Sequence, residues 1–432
     1  MCNYSMKKII YILLIFSLQS SICNLYAQWV IQPSPVTSFL HDVEFINRTT
    51  GWACGDGGVI IKTTNGGINW FQQESGVSNK NLWGIHPVDS NTVYCVGWFQ
   101  TILKTTNGGT NWQILRNGSF GNTPSFFEVF FLNENTGWLL RNNYILRTTN
   151  GGISFDSSYV VFSYLRDVYF KDTLNGIICG DGALILKTTD GGVSWSWIEI
   201  PRFGGSQPDF FNVSFINDTG WVVARTNNFS QNQLGHLVWR TTNFGSTWDT
   251  ISRVYPDEPF NYENFCVSFS SNRIGWCGGT FGKIFKTTNG GFNWIQQQVP
   301  SINFRRSMWF FNDSIGWAVG GGGQIVHTTS GGQYLGIEPV SGIIPSKFTL
   351  KQNYPNPFNS QTNIEFELPE SGSYTLEIYD ILGRKLKVVF NEYKKAGIYR
   401  LNFEANDLAA GVYLYTLYSG KYKETRKFIL VK

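Results

Sequence analysis

The sequence predicts an all-β protein, a seven-bladed β-propeller followed by a small Ig-like β-sandwich. A stretch close to "IKTTNGGINW" (residues 61–70) recurs seven times along the chain. The 432 residues include 46 glycines and 16 tryptophans but are only 15% charged, which favours strands and turns over helices. The repeats stop at residue 335, and after residue 346 a different run of short alternating strands takes over.

In chain order, the first element is an export signal. Met6-Lys7-Lys8 gives a positive start, residues 9–18 an apolar stretch, and Leu25-Tyr26-Ala27 a cleavage site, so residues 1–27 read as a signal peptide. That segment is too short to span a bilayer and no later run approaches the necessary length, so no membrane span is expected. Residues 9–344 hold 19 basic and 21 acidic side chains, a balance that excludes a nucleic-acid footprint. Cys54, Cys95, Cys179, Cys266 and Cys277 remain after cleavage, and four of them occupy matching strand positions, as small buried hydrophobes would. Cys266 and Cys277 are the one pair placed for a disulfide, and no Cys or His spacing suggests a metal.

The propeller, residues 28–335, is read from its spacing. The first threonines of the seven turns are Thr63, Thr105, Thr148, Thr188, Thr241, Thr287 and Thr328, separated by 42, 43, 40, 53, 46 and 41 residues. This is the period of a four-stranded blade. Each copy has an upstream alternating strand such as "LRDVYF" (165–170), a second strand entered through glycine such as "GWAVG" (316–320), and a third such as "VIIK" (59–62). Within the turn, Asn65 can bond its own backbone, Gly67 can take positive φ, and Trp70 can return a large ring to the sheet. The seventh copy has no fourth strand of its own. "QWVIQPSP" (28–35) looks like the fourth strand "NWIQQQVP" (293–300), so residues 29–32 are expected to close the ring.

The turn pattern, Thr at the first place, Asn or Asp at the third, Gly at the fifth and Trp at the eighth, is the Asp box of BNR-type propellers. The repeats resemble the photosystem II assembly and stability factor family. Residues 336–346, "GIEPVSGIIPS", are expected to be a linker. Residues 347–432 resemble the type A C-terminal sorting domain of the type IX secretion system, through "QNYPNPFN" (352–359), "YDILGR" (379–384) and "KFILVK" (427–432). That resemblance implies the type IX machinery as a partner, and a mature chain released from the cell or held on its surface.

Propeller ligands sit on the face formed by loops that enter the innermost strands. The residues placed there include Trp83, Phe127, Arg166, Phe211, Arg305 and Arg306, an aromatic and arginine patch suited to an extracellular protein or glycan ligand. The competing reading is that these charges pair with Asp42, Glu128 and Asp167 around the channel mouth. The basic residue before each threonine pair, from Lys62 to His327, reads as a carbonyl-binding or solvated rim. Insertions at 201–211 and 225–236 are expected on the ligand face of the fifth blade.

Asp boxes also occur in sialidases and xyloglucanase-like hydrolases, so a glycoside hydrolase is the alternative. An inverting enzyme needs two carboxylates roughly 6.5–9.5 Å apart, for which Asp42, Glu128, Asp167, Asp209 and Glu263 are the candidates. The chain lacks the "RIP" arginine motif, a GxSxG elbow, an HExxH helix and a phosphate loop. The favoured reading is an exported binding or scaffold module with no catalytic residue and no cofactor.

Overall fold

The computed structural model describes residues 29–431 apart from 120–123, 161–162, 201–207, 226–235, 254–263, 298, 301–302, 304, 333–335, 342–343, 395 and 406–407. The expected signal peptide, Glu263, Leu335 and most of both insertions in the fifth repeat lie outside the described residues. The chain divides into two compact units, Met1–Gln333 and Tyr334–Lys432.

The repeated turn is held by its own side chains. Thr63 Oγ1 accepts the Gly67 N–H at 2.8 Å and donates to Asn65 Oδ1 at 3.0 Å, and Asn65 Oδ1 accepts the Asn69 N–H at 3.0 Å. Gly67 sits at φ 83°, open to glycine and costly to other residues. The same bonds recur at Thr105, Thr148, Thr188, Thr241 and Thr287. In the last copy Ser330 stands in for the amide and the side-chain bond stretches to 3.4 Å.

Each of the first six turns joins the third and fourth strands of a four-stranded antiparallel sheet, and the first unit contains seven such sheets among the described residues. Blade 1 comprises Leu40–Phe45, Gly51–Gly55, Ile60–Thr63 and Phe71–Gln73. Blades 2 to 6 follow the same order, with inner strands Leu82–Pro87, Glu128–Phe131, Leu165–Phe170, Asp209–Ile216 and Asn264–Phe269. Blade 7 takes Arg305–Phe310, Gly316–Gly320 and Ile325–Thr328 from its own repeat. Its fourth strand is Val30–Gln32, with Ile31 opposite Val326. Each inner strand packs against those before and after it, and the seventh against the first, so the ring is closed.

The core lies between blades. The last residue of an inner strand stacks on an aromatic in the second strand of the preceding blade: Phe131 on Tyr94 at 3.6 Å, Phe170 on Trp138 at 3.4 Å, Phe269 on Trp221 at 3.6 Å, Phe310 on Trp276 at 3.5 Å. Stacked pairs of this kind contribute about 0.5–1.5 kcal/mol each beyond their buried area. The same ring lies flat over the glycine that opens its own second strand, and a Cβ on Gly316 would stand 2.3 Å from the Phe310 ring. In blade 2 the phenylalanine is replaced by Pro87, and opposite it the glycine becomes Val93.

A second tie crosses the same gap. Lys62 Nζ donates to the Gly108 carbonyl in the turn of blade 2 at 2.8 Å while lying 4.7 Å over the Trp52 ring. Lys104 does the same with Gly151 and Tyr94, at 3.0 Å and 5.0 Å. The basic residue before each turn is therefore a carbonyl-binding clamp in these blades rather than a rim for ligands. The five cysteine thiols are buried, and Cys266 Sγ lies 3.3 Å from the Gly278 carbonyl rather than bonded to Cys277.

In the second unit two four-stranded sheets enclose one core built from Phe366, Leu376, Tyr415 and Phe428 among others. Residues Gly336–Ser341, expected within a linker, instead form a strand paired with Gly397–Glu404.

Candidate functional site

The inner strands share a defect that builds the site. In blades 1, 2, 4, 5, 6 and 7 the pairing with the second strand skips one residue: His41, Trp83, Arg166, Phe211, Phe265 or Arg306. A bulge of this kind bends the strand and re-aims the extra side chain. Five of these six residues, joined by Phe127 of blade 3, line the cavity at the axis of the ring. Arg305, which the sequence placed beside Arg306, lies one position before the bulge and pairs with Gly320. It corresponds to Leu40 and Leu82, and its side chain, like that of Phe265, lies outside the described residues. The bulge is legible in hindsight, because "LHDV" and "LRDV" put two buried residues three apart, where plain alternation allows two.

His41 and Trp83 stack at 4.3 Å, and Trp83 meets Phe127 edge-on at 6.0 Å. The Arg306 guanidinium lies 5.9 Å over the Trp83 ring. Across the ring, Arg166 lies 5.6 Å over Phe211 and forks onto Asp181 with two bonds of 2.7 Å. Sequence reasoning offered Asp167 as its partner. Asp181 and Asp56 occupy the same place after the second strand of their blades, and Asp56 Oδ1 lies 2.7 Å from His41 Nε2. In blade 7 that place is Gly321.

A carboxylate only accepts, so the proton of His41 sits on Nε2. Burial lowers the His41 pKa, which keeps the ring neutral and leaves Nδ1 a bare acceptor. His41 Nδ1 is buried without a hydrogen-bond partner among the described residues, and so is the indole N–H of Trp83. One unused acceptor and one unused donor thus lie on stacked rings that line the cavity, the two atoms themselves covered in the free protein.

The acidic residues below the mouth tie blades together. Asp42 accepts the N–H of Val43 at 2.8 Å and of Ile85 in the next blade at 2.9 Å, and the Ser307 hydroxyl at 2.7 Å. Asp167 accepts Val168 at 2.7 Å, Val213 of the next blade at 2.8 Å and the Asn212 amide at 2.6 Å. Asn212 Oδ1 then accepts Val267 at 2.7 Å, and Ser307 Oγ accepts Val43 at 3.3 Å, the same link made by uncharged groups. Burial, with Glu44 nearby, pushes Asp42 up to about 6. Burial likewise carries Asp167 to about 7 and Glu128 well above the usual carboxylate range. Asp209, a further candidate, bonds the Gly182 N–H at 3.0 Å. Among the described residues, no group of three or more His, Cys, Asp or Glu side chains is placed to hold a metal.

Residues 23–119 and 157–264 match the family described as photosynthesis system II assembly factor YCF48, and residues 352–432 match the secretion system C-terminal sorting domain. The propeller is similar to YCF48, and the tail to a sorting domain. Among solved structures, YCF48 bound to D1 peptide is similar with a TM-score of 0.56 and 19% identity over 71% of this chain and 98% of that one. YCF48 from Cyanidioschyzon merolae gives 0.56 and 21% identity, over 69% and 98%. The WD40 propeller domain of Doa1 gives 0.52 and 10%, over 70% and 97%, so at these identities the likeness is one of fold. No curated protein matches the chain. The sorting domain marks this YCF48-like propeller for type IX export, to the cell surface or beyond, and no helix among the described residues is long and apolar enough to cross a membrane.

Proposed function

We propose that the chain is an exported recognition module whose channel mouth takes a peptide segment of a partner protein. The observation that carries this is the stacked His41–Trp83 pair, with one unused acceptor and one unused donor. A peptide unit offers the complement, an N–H for His41 Nδ1 and a C=O for Trp83 Nε1, once the two rings turn to uncover these buried atoms. Phe127 and Phe211 add apolar rings to the mouth, and Arg306 supplies a positive charge for an acidic residue in the segment. The YCF48 structure that carries a D1 peptide is a precedent for peptide binding by this fold.

The hydrolase alternative asks Asp42 and Asp167 to exchange protons with a substrate. Each carboxylate is already committed to three donors, two of them backbone N–H groups. The test is a peptide and glycan array probed with the parent chain, Trp83→Phe and Arg306→Ala. Peptide signals that both variants weaken support the reading. Glycan-only signals, or peptide signals indifferent to both changes, would overturn it.

A further inference from the structure

The sorting domain gathers several exposed apolar side chains at one end. The second sheet of this unit runs in the order Lys385–Lys394, Gly372–Asp380, Gly411–Ser419, Tyr422–Leu430. Asp380 pairs with Tyr413, Val412 with Ile429, and Gly411 with Leu430. The turn after Asp380, the start of Gly411–Ser419 and the last residues of the chain therefore share one edge of the domain. Phe358 bridges to Leu430, and Asn356 Oδ1 accepts the Ile429 N–H at 2.9 Å, which brings residues 352–358 to the same end. On that end Ile381 is 69% exposed, Leu382 73%, Tyr354 80%, Val412 40% and Val431 46%. The three stretches "QNYPNPFN", "YDILGR" and "KFILVK" are far apart in sequence and converge here.

The turn that carries Ile381 and Leu382 is locked. Asp380 Oδ1 accepts the N–H of Leu382 and of Arg384, both at 2.9 Å, and Oδ2 takes Arg384 Nε at 2.6 Å. The two side chains are thus held in solvent by a stiff hairpin, apart from the core beneath them. A pre-ordered apolar knob loses little freedom on docking. The far end carries an exposed ion pair, Lys421 Nζ on Glu370 at 2.9 Å, and a single exposed aliphatic residue, Ile344, rather than a cluster. Adjacent exposed large apolar groups on a rigid tip are the mark of a contact surface.

We propose that this end is the docking surface of the sorting domain, with Ile381 and Leu382 inserted into an apolar groove of the type IX export machinery. The match of residues 352–432 to a secretion-system sorting domain decides the occupant, because the surface is assembled from segments of that match.

The full chain is expressed in a type IX-competent bacterium beside the double variant Ile381→Ser/Leu382→Ser and the far-end variant Lys421→Ser. The export-to-periplasm ratio is then read by immunoblot, and the melting temperature and size of each purified chain are recorded. The double variant is expected to fold as the parent does and to fall about tenfold in that ratio, while Lys421→Ser is exported normally. Unchanged export of the double variant overturns the proposal. So does a parent that is a dimer, becomes monomeric in the variant and is still exported, since a second copy then covers the knob. Should the double variant melt early, Tyr354→Ser/Val431→Ser at the same end is judged by the same ratio.

Discussion

Single side chains explain why the repeats look as they do. The glycine before each tryptophan of "GWAVG" reads from sequence as a turn residue. Its cause is the phenylalanine ring lying across it, and Val93 appears where Pro87 removes that ring. Gly316→Ala should therefore cost about 1–3 kcal/mol, because the Phe310 ring is stacked on Trp276 and has little room to yield. Urea unfolding measures this.

The buried carboxylates give a second residue-scale expectation. Asp42 and Asp167 have folded pKa values of about 6 and about 7, above their unfolded values, so each costs stability as it ionises inside the protein. Burial lowers the His86 pKa, but the Glu44 carboxylate 3.0 Å away raises it further, so its stabilising charge is also lost as pH rises. Asp167 and His86 act in the same direction above pH 6.5, whereas the Asp42 term is mostly spent below it. Below that pH His327, lowered to about 4 by burial, and His41 oppose them. Melting temperature should fall from pH 6.5 to 8, and Asp167→Asn should flatten the fall. The same change should cost about 1–3 kcal/mol, since an amide nitrogen would face a backbone N–H.

At the scale of elements, the strands and their order were legible because period-two alternation and a fixed turn repeat seven times. The closing strand was legible too, since residues 28–35 resemble a fourth strand with no third strand before it. The bulge was legible only in hindsight, because one inserted residue changes no composition and its neighbours vary from repeat to repeat, as Asp42, Gly84 and Ser307 do. Arg305 and Arg306 consequently looked alike, although only Arg306 is the bulged residue. Gly336–Ser341 read as a linker from its glycine and prolines, but its partner strand lies some 60 residues further on and invisible to local pattern. The account makes Val30–Gln32 the clasp of the ring, anchored by buried Trp29 against Phe310 at 5.7 Å. Trp29→Ala should cost about 3–5 kcal/mol and raise amide exchange first at residues 325–328, its pairing partners. Uniform loss of protection across all seven blades would mean that the ring has no clasp.

For the propeller as a whole, six of the seven inner strands turn the same bulge toward one axis, so a repeat that is structural everywhere else gathers five bulged residues and Phe127 around one cavity. The sequence could supply those residues but not their partners: Asp181 lies 15 positions from Arg166 and binds it only because the two strands are adjacent. If the mouth reads a peptide unit, Trp83→Phe should weaken the binding, because it keeps an aromatic ring beside His41 while removing the N–H together with the second ring of the indole. With a peptide selected from the array, calorimetric titration of the parent and Trp83→Phe should show affinity falling about tenfold, the worth of one buried hydrogen bond. The free variant should still fold cooperatively and lose no hydrogen bond, since the removed donor has no partner among the described residues. Unchanged affinity in a stable variant would contradict the account and leave the mouth as a structural seam.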